Sequence, residues 1–351
     1  MTDVRPAGDT WEVSFRPVAG GPETQRYRAV LVANGHHWDP RWPEPAYPGA
    51  AQFAGEQMHA HSYLEPDIFP GKRVLVLGIG NSACDIAVEA SRIAEKTFLA
   101  MRRGAHIVPK FIGGKPTDET SGAWFARLPL PVQRTITTMI LRSAQGKMTD
   151  YGLPQPDHKL LEAHPTVSSD LLPRLGHGDI SVKPNIARFD KHEVVFEDGS
   201  RERIDLVIYC TGYKITFPFF AENLISAPDN HIPLYRRVVS PEHPGLYFIG
   251  LLQPLGAIMP LAEAQSEWIA DVLQDKVKLP SPEQMREVIR REDARMRERY
   301  VASKRHTVQV DFHPYLRTIA RERRRRPLIG KLTGALGSRS HELRLGHPSQ
   351  R

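Results

Sequence analysis

The sequence predicts an α/β fold with a Rossmann-like unit over residues 71–103, and two observations support this prediction. Residues 74–77 (VLVL) form a short apolar run that is typical of a strand buried on both faces, and Gly78 ends it. A helical segment follows, and residues 97–101 then form a second apolar strand. The order strand, helix, strand is that of a parallel α/β unit.

The turn between the first strand and the helix has the spacing of the dinucleotide fingerprint G-x-G-x-x-A. Gly78 permits a tight turn, Gly80 leaves room for a pyrophosphate beside the backbone, and Ala83 lets the helix pack on the strand. The N–H groups at the helix start, those of Asn81 and Ser82 among them, would face the phosphates. The alternative is an ordinary strand-to-helix turn. The flanking strand and helix favour a dinucleotide site.

Two arginines follow the second strand, where an NAD site carries an acidic residue for the ribose. Arg102 and Arg103 can instead bind the 2′-phosphate of NADPH, so the sequence favours NADPH over NADH. The alternative is a pair of solvated arginines on a basic chain.

Composition indicates a globular protein with room for two domains, because the chain has 351 residues of which 40% are hydrophobic. No apolar run is long enough to span a bilayer and no signal-peptide pattern is present, so we expect a cytoplasmic location. Cys84 and Cys210 lie far apart, which excludes a redox dithiol, and the histidines between residues 151 and 186 are too irregularly spaced for a metal site.

The net charge of +7 arises largely after Met285, above all from Arg321 to Arg326. Such a segment can bind nucleic acid or an anionic membrane surface, but a solvated basic face is the favoured interpretation. Nucleic acid is therefore not an expected partner.

The remaining segments have patterns that predict further elements. Residues 11–34 alternate as a β-hairpin around Gly20 and Gly21. A Pro- and Trp-rich connector follows at 36–50, and a helical cover with Trp124 is expected at 120–150. A second hairpin is expected at 180–202, with Asp198-Gly199 in or next to the turn between its end and the next strand, at 205–212. The last elements are a strand at 246–249, a loop at 253–259, a helix from Pro260 and a late helix at 281–306.

Just before the first Rossmann strand lies the pattern F-x-G-x-x-x-H-x-x-x-Y. From its residues alone it predicts a loop with two packed aromatic rings and a hydrogen-bonded histidine. Followed by G-x-G-x-x-A, it resembles the identifying motif pair of the flavin-containing monooxygenases. Tyr63 replaces the Trp usual in the related Baeyer–Villiger enzymes, which favours oxygenation of a heteroatom. The matching positions are Phe53, Gly55, His59, Tyr63, Gly78, Gly80 and Ala83.

This resemblance implies an α/β flavoprotein with two dinucleotide-binding domains, in which a Rossmann-like NADPH domain is inserted in the FAD domain. AVLVANG at 29–35 and LVIYCTG at 206–212, which ends in Thr211 and Gly212, would be the two crossovers between these domains. Gln253 and Gly256 would contact the flavin. The implied boundaries are 1–50 for the first part of the FAD domain and linker, 51–212 for the NADPH domain, 213–310 for the rest of the FAD domain, and 311–351 for a basic tail.

The implied activity is an NADPH- and FAD-dependent monooxygenase reaction. Hydride would pass from NADPH to FAD, O2 would give a C4a-hydroperoxyflavin, and a small-molecule substrate with a nucleophilic N or S would accept one oxygen. We assign no catalytic side chain from the sequence and expect no metal.

A glycine fingerprint for the ADP half of FAD does not occur before residue 50, which predicts a truncated FAD domain. A start site assigned too late, a shortened gene and a two-chain enzyme whose partner supplies the FAD half all fit this prediction. The competing interpretation is a non-catalytic NADP(H)-binding protein, with self-association into a homodimer through the surface left uncovered. A disulfide reductase is excluded because no C-x-x-C pair is present.

Overall fold

The computed structural model describes residues 1–117, 125, 128–160, 162, 165–299 and 307–325. Trp124, His164, Arg326 and the end of the late helix at 300–306 lie outside these residues. The helices are α1 Asn81–Ala90, α2 Leu130–Gln145, α3 Leu171–Gly176, α4 Met259–Leu273, α5 Pro282–Arg299 and α6 Phe312–Glu322.

The strands are β1 Asp3–Ala7, β2 Thr10–Phe15, β3 Glu23–Tyr27, β4 Val30–Val32, β5 Asp39–Pro40, β6 Glu56–His59, β7 Arg73–Leu77, β8 Lys96–Ala100, β9 Ile107–Val108, β10 Phe111–Ile112, β11 Lys115–Pro116, β12 Thr166–Val167, β13 Ile180–Lys183, β14 Ile186–Asp190, β15 Glu193–Phe196, β16 Arg201–Arg203, β17 Leu206–Tyr209, β18 Tyr213–Lys214, β19 Leu246–Phe248, β20 Gln253–Leu255 and β21 Gln309–Asp311.

A five-stranded parallel sheet forms the centre of residues 51–212, in the order β13-β8-β7-β17-β6. Strand β7 is apolar on both faces because a hydrophobic core covers each face of the sheet. Val74 and Val76 belong to the core that includes α1, whereas Leu75 and Leu77 belong to the core on the opposite face. The predicted strand, turn and helix are confirmed.

All five strands run in the same direction, so their carboxyl ends meet at one edge of the sheet. This edge brings together His59 at the end of β6, Gly78 after β7, Arg102 after β8 and Thr211 after β17. Residues from three separate parts of the sequence therefore lie along one line.

The first predicted hairpin is only partly correct. Strands β2 and β3 pair antiparallel as expected, and β1 adds a third strand that the sequence did not indicate. Residues 30–32 leave the hairpin and pair parallel with β19 instead. This pairing buries Val30 and Val32 in a core with Leu246 and Phe248, which a two-stranded hairpin cannot provide.

The second predicted hairpin and the loop at 253–259 also differ from expectation. Residues 180–183 form the edge strand β13 of the parallel sheet, and the hairpin starts only at Ile186, because Pro184 interrupts the ladder. Gly199 has a φ of 80° between β15 and β16, which confirms the predicted turn. Residues 253–255 are strand β20, paired with β21 from far along the chain.

Candidate functional site

The turn after β7 requires glycine at position 78. Gly78 has a φ of 136°, and a Cβ atom there would lie 2.7 Å from the carbonyl oxygen of Cys210. Its N–H donates a hydrogen bond of 2.8 Å to the carbonyl of Ala100, which anchors the turn to β8. The chain therefore passes very close to the end of β17 as it enters α1.

The N-terminus of α1 presents N–H donors that have no partner among the described residues. Gly80 is the N-cap residue, and no side chain caps the helix. The N–H groups of the first helical turn have no intrahelical acceptors, so those of Asn81, Ser82 and Ala83 are available to an anion. Ala83 is fully buried against the sheet, which holds the helix close to the turn.

The Asn81 side chain has a structural contact that the sequence did not predict. Its Oδ1 accepts a hydrogen bond of 2.9 Å from the N–H of Val167, and the Thr166 hydroxyl donates one of 2.7 Å to the Ile79 carbonyl. Strand β12 thereby braces the glycine turn. The side-chain oxygen of Asn81 is therefore engaged within the fold, while its backbone N–H lies in the first turn of α1.

The two arginines follow β8 directly and both are exposed. Arg103 Nη1 lies 3.7 Å from a carboxylate oxygen of Asp157. Arg102 forms no ion pair with any residue whose position is described. It lies near Tyr47, where burial raises the pKa of the phenol and Arg102 opposes that shift. Arg102 therefore carries a positive charge that no described carboxylate neutralises.

The F-x-G-x-x-x-H-x-x-x-Y motif spans strand β6 and the turn after it, so it is not the loop that its residues predicted. Phe53 is buried and packs on Phe189, with ring centroids 4.9 Å apart. A Cβ atom on Gly55 would lie 2.6 Å from the Phe53 ring and 2.8 Å from the Asp205 carbonyl oxygen. Only glycine lets β6 approach β17 at this point.

Replacing Gly55 with Ala is therefore expected to destabilise the fold by about 1–3 kcal/mol, the usual cost of overpacking a core. Urea unfolding measures this loss of free energy. Gly21→Ala is the matched control, because no atom lies within 4 Å of the added methyl group. Equal stability of the two variants would contradict the tight packing at Gly55.

His59 and Tyr63 hold the turn at the other end of β6. His59 is 1% exposed, and its Nδ1 accepts a hydrogen bond of 3.1 Å from the N–H of His61. Tyr63 stacks on Phe69 with centroids 5.3 Å apart and donates a hydrogen bond of 2.5 Å to Glu89 of α1. Burial lowers the pKa of His59 and raises that of Tyr63. The predicted packed rings and hydrogen-bonded histidine are present.

The two crossover segments lie against each other. The Thr211 hydroxyl donates a hydrogen bond to the Arg41 carbonyl, and the Arg41 N–H donates one of 3.0 Å to the Gly212 carbonyl. Gly35 and Gly212 have φ values of 71° and 85°, so both strand ends turn through a glycine. Thr211 and Gly212 therefore join the two segments rather than reach into a pocket.

Gln253 and Gly256 lie on β20 and just beyond it. The Gln253 N–H donates to the Val308 carbonyl at 2.8 Å, and its register partner Gln309 is 3% exposed, with an amide that has no hydrogen bond to the described chain. Gly256 has a φ of 133° and faces the ring of Phe312.

Helix α4 begins directly beyond this segment, with Pro in its first turn as predicted and no side-chain cap. The N–H groups at such a helix end are donors that favour an electron-rich group. The turn at Gly78 and Gly80 belongs to the five-stranded sheet. No described contact links it to residues 253–259.

Cysteines and metal-binding side chains contribute no further site. Cys84 and Cys210 form no disulfide, and burial raises the pKa of the Cys210 thiol. Among the described residues there is no group of three side chains able to hold a metal ion, and no helix is long and apolar enough to cross a bilayer.

Comparison with known proteins gives concordant matches. The family model "Flavin-binding monooxygenase-like" matches residues 2–335. Flavin-containing monooxygenase 5 of Oryctolagus cuniculus is 40% identical over 319 residues, which cover 88% of this chain and 59% of the relative. Dimethylaniline monooxygenase [N-oxide-forming] 2 of Mus musculus is 34% identical over 321 residues, covering 89% and 59%.

A solved structure, S-allyl-L-cysteine S-oxygenase from Allium sativum, is 26% identical with a TM-score of 0.62, covering 92% of this chain and 60% of that one. The predicted α/β class with two dinucleotide-binding units is confirmed by these neighbours. The chain spans about three-fifths of the length of the relatives it matches.

Proposed function

This chain belongs to the flavin-binding monooxygenase-like family, and we propose that it binds NADPH and FAD and acts as a monooxygenase on a small molecule. NADPH binding is supported by one observation. The start of α1, just after Gly78, has no side-chain cap, and Arg102 follows the neighbouring strand β8. The N–H groups would bind the pyrophosphate and Arg102 the 2′-phosphate.

The proposed NADPH domain is residues 51–212, because all five strands of the parallel sheet fall within these limits. Residues 1–50 and 213–310 would together form the flavin-binding part. Strand β4 of the first segment pairs with β19 of the second, which supports this division. Helix α6 belongs with that part rather than with a basic tail, since Tyr315 and Ile319 are buried against α4.

When bound, FAD would supply the two-electron chemistry and the activation of O2 that side chains lack. Gln253, Gly256 and the start of α4 would bind the ring edge. The substrate class is a nucleophilic nitrogen or sulfur compound. The names of two similar proteins, an N-oxide-forming monooxygenase and an S-oxygenase, support this substrate class. The protein would orient the cofactors and exclude water from the reacting atoms.

An absorption experiment tests the proposal. The purified chain is mixed with FAD, desalted, and its visible spectrum recorded before and after NADPH is added. We expect a retained flavin band that NADPH bleaches, and oxygen uptake in the presence of a thioether or tertiary amine. Retention of NADPH without flavin would instead identify a non-catalytic NADP(H)-binding chain. Size-exclusion chromatography of the same sample shows whether it is a homodimer.

A further inference from the structure

A buried hydrogen-bond relay holds the start of residues 250–259, the segment that we propose to contact the flavin. The Gly250 N–H donates a hydrogen bond of 2.8 Å to the Oε1 atom of Gln265 in α4. The Nε2 atom of Gln265 donates one of 2.6 Å to the hydroxyl of Tyr315 in α6, and that hydroxyl donates one of 2.6 Å to the Arg236 carbonyl. Two side chains therefore join segments that are far apart in the sequence.

The hydrogen bonds of the relay can point in one direction only. A carbonyl oxygen accepts hydrogen bonds and cannot donate them, so the Tyr315 hydroxyl must donate its proton to Arg236. The Tyr315 oxygen is then left as an acceptor for the amide N–H of Gln265. Burial raises the pKa of Tyr315, which keeps the proton on its oxygen. The side-chain carbonyl of Gln265 consequently faces the Gly250 N–H.

Both side chains of the relay are buried. Gln265 is 0% exposed and Tyr315 is 8% exposed. A buried polar group that loses its partner is destabilised by the full cost of its desolvation, because bulk water does not replace the lost hydrogen bond. The position of Gly250 therefore depends on the hydroxyl of Tyr315, which reaches it through one amide.

Arg236 anchors the far end of the relay. It has a φ of 53°, in the left-handed region that residues other than glycine rarely adopt. Its guanidinium donates hydrogen bonds to Glu292 of α5 and to Glu322 of α6, and Glu322 is 2% exposed. Charge-assisted hydrogen bonds are stronger than neutral ones, so they can hold a backbone in an unfavourable conformation. The carbonyl that Tyr315 contacts is thus fixed by two helices.

The strand that precedes α6 contacts the same segment through its backbone. Strand β21 pairs with β20, and the Gln253 N–H donates a hydrogen bond of 2.8 Å to the Val308 carbonyl. A Cβ atom on Gly256 would lie 3.5 Å from the ring of Phe312. We call residues 308–315 the brace, because they contact the segment directly at two points and through the relay at a third.

We propose that the brace orients the flavin-binding segment and that Tyr315 is a positioning residue within it. Tyr315 would act through Gln265, and its hydroxyl would fix where Gln253 and Gly256 lie. This inference rests on the proposed flavin site. Residues 311–351, which the sequence predicts as a basic tail, would then begin with an element that serves cofactor binding.

Tyr315→Phe tests the proposal, because it removes one hydroxyl and keeps the ring that packs in the core. Gln265 would lose its acceptor, so its amide would no longer be held toward Gly250. We expect the affinity of the full chain for FAD to fall about tenfold in a fluorescence titration. The reduction potential of bound FAD should also become more negative, because displaced N–H donors stabilise the electron-rich reduced ring less well. A purely structural role would not change this potential.

Tyr209→Phe is the matched control. Tyr209 is 2% exposed, and its hydroxyl donates a hydrogen bond of 2.6 Å to Gln57 within the parallel sheet. This variant also loses a buried phenol hydrogen bond, but outside the relay. We expect its FAD affinity to stay within about twofold of the wild-type value. Equal losses of FAD affinity in the two variants, or no loss in Tyr315→Phe, would overturn the proposal.

Gln265→Met provides a second test of the relay. Methionine has nearly the same length as glutamine but no amide, so the Gly250 N–H loses its acceptor. Gln265→Met and Tyr315→Phe should weaken FAD binding by similar factors. The double variant should be little weaker than either single variant, because both changes break the same relay. Losses that multiply in the double variant would show that the two side chains act independently and would overturn the proposal.

Hydrogen exchange of the chain without FAD distinguishes this proposal from the proposed activity. In Tyr315→Phe we expect the N–H groups within residues 250–256 to exchange at least about tenfold faster, while those of β7 and β8 change less than about twofold. If the wild-type chain retains no FAD, the proposed function fails, whereas faster exchange at 250–256 would still support the brace. Unchanged exchange there would overturn it.

Discussion

Gly80→Val is expected to weaken NADPH binding by at least about a hundredfold while leaving the chain folded. The branched side chain would occupy the space in which the pyrophosphate meets the backbone. Gly80 has φ −79° and ψ 176°, a conformation open to any residue, so the backbone is not strained. We expect a stability loss of no more than about 1 kcal/mol, since the N-cap has no side-chain bond to lose.

Fluorescence or calorimetric titration with NADPH measures the loss of affinity. Gly78→Ala is the informative comparison, because its φ of 136° and the 2.7 Å approach to Cys210 predict damage to the fold as well as to binding. Unaltered affinity in Gly80→Val with a stable fold would show that the glycine turn does not bind a dinucleotide.

Arg102→Ala is expected to lower the affinity for NADPH by about 10- to 100-fold and that for NADH by less than about twofold. A 2′-phosphate is the only group that distinguishes these two ligands, so loss of its cation affects NADPH alone. Arg103→Ala should have the smaller effect, since Asp157 lies 3.7 Å from its guanidinium. Replacing both arginines should give the largest discrimination.

The paired titrations with NADPH and NADH provide an internal control, and Arg92→Ala supplies a matched surface variant. Arg92 is an exposed arginine beyond α1 that contacts Asp170 at 3.9 Å. Equal weakening of both nucleotides by Arg102→Ala would contradict the phosphate assignment. An effect of Arg92→Ala as large as that of Arg102→Ala would point to net charge rather than to a specific contact.

Local sequence was sufficient for the core of the candidate site. The run at 74–77, the spacing of Gly78, Gly80 and Ala83, and the following strand predicted a strand, a tight turn and a helix, all of which are present. These features depend on residues that are neighbours along the chain. The conformation of a turn, the periodicity of an element and the start of a helix each depend on a few consecutive residues.

Strand pairing was less accessible from the sequence. The sequence pattern predicts hairpins for residues 30–32 and 180–183, yet each segment pairs with a parallel partner far away in the chain. An apolar run has the same pattern in either setting, and the choice depends on which pairing buries more of it. The sequence predicts a loop at residues 253–259, whereas Gln253–Leu255 is a strand, because it pairs with the distant strand β21.

The Rossmann-like unit, its glycine turn, the two arginines and the family resemblance can all be predicted from the sequence, because each depends on residue type at fixed spacing. Three contacts are visible only in the folded chain: Asn81 braces the turn, Asp157 contacts Arg103, and the two crossover segments pair with each other. Those contacts join residues tens to more than a hundred positions apart. Folding brings them together through the burial of whole elements, and no local pattern specifies that.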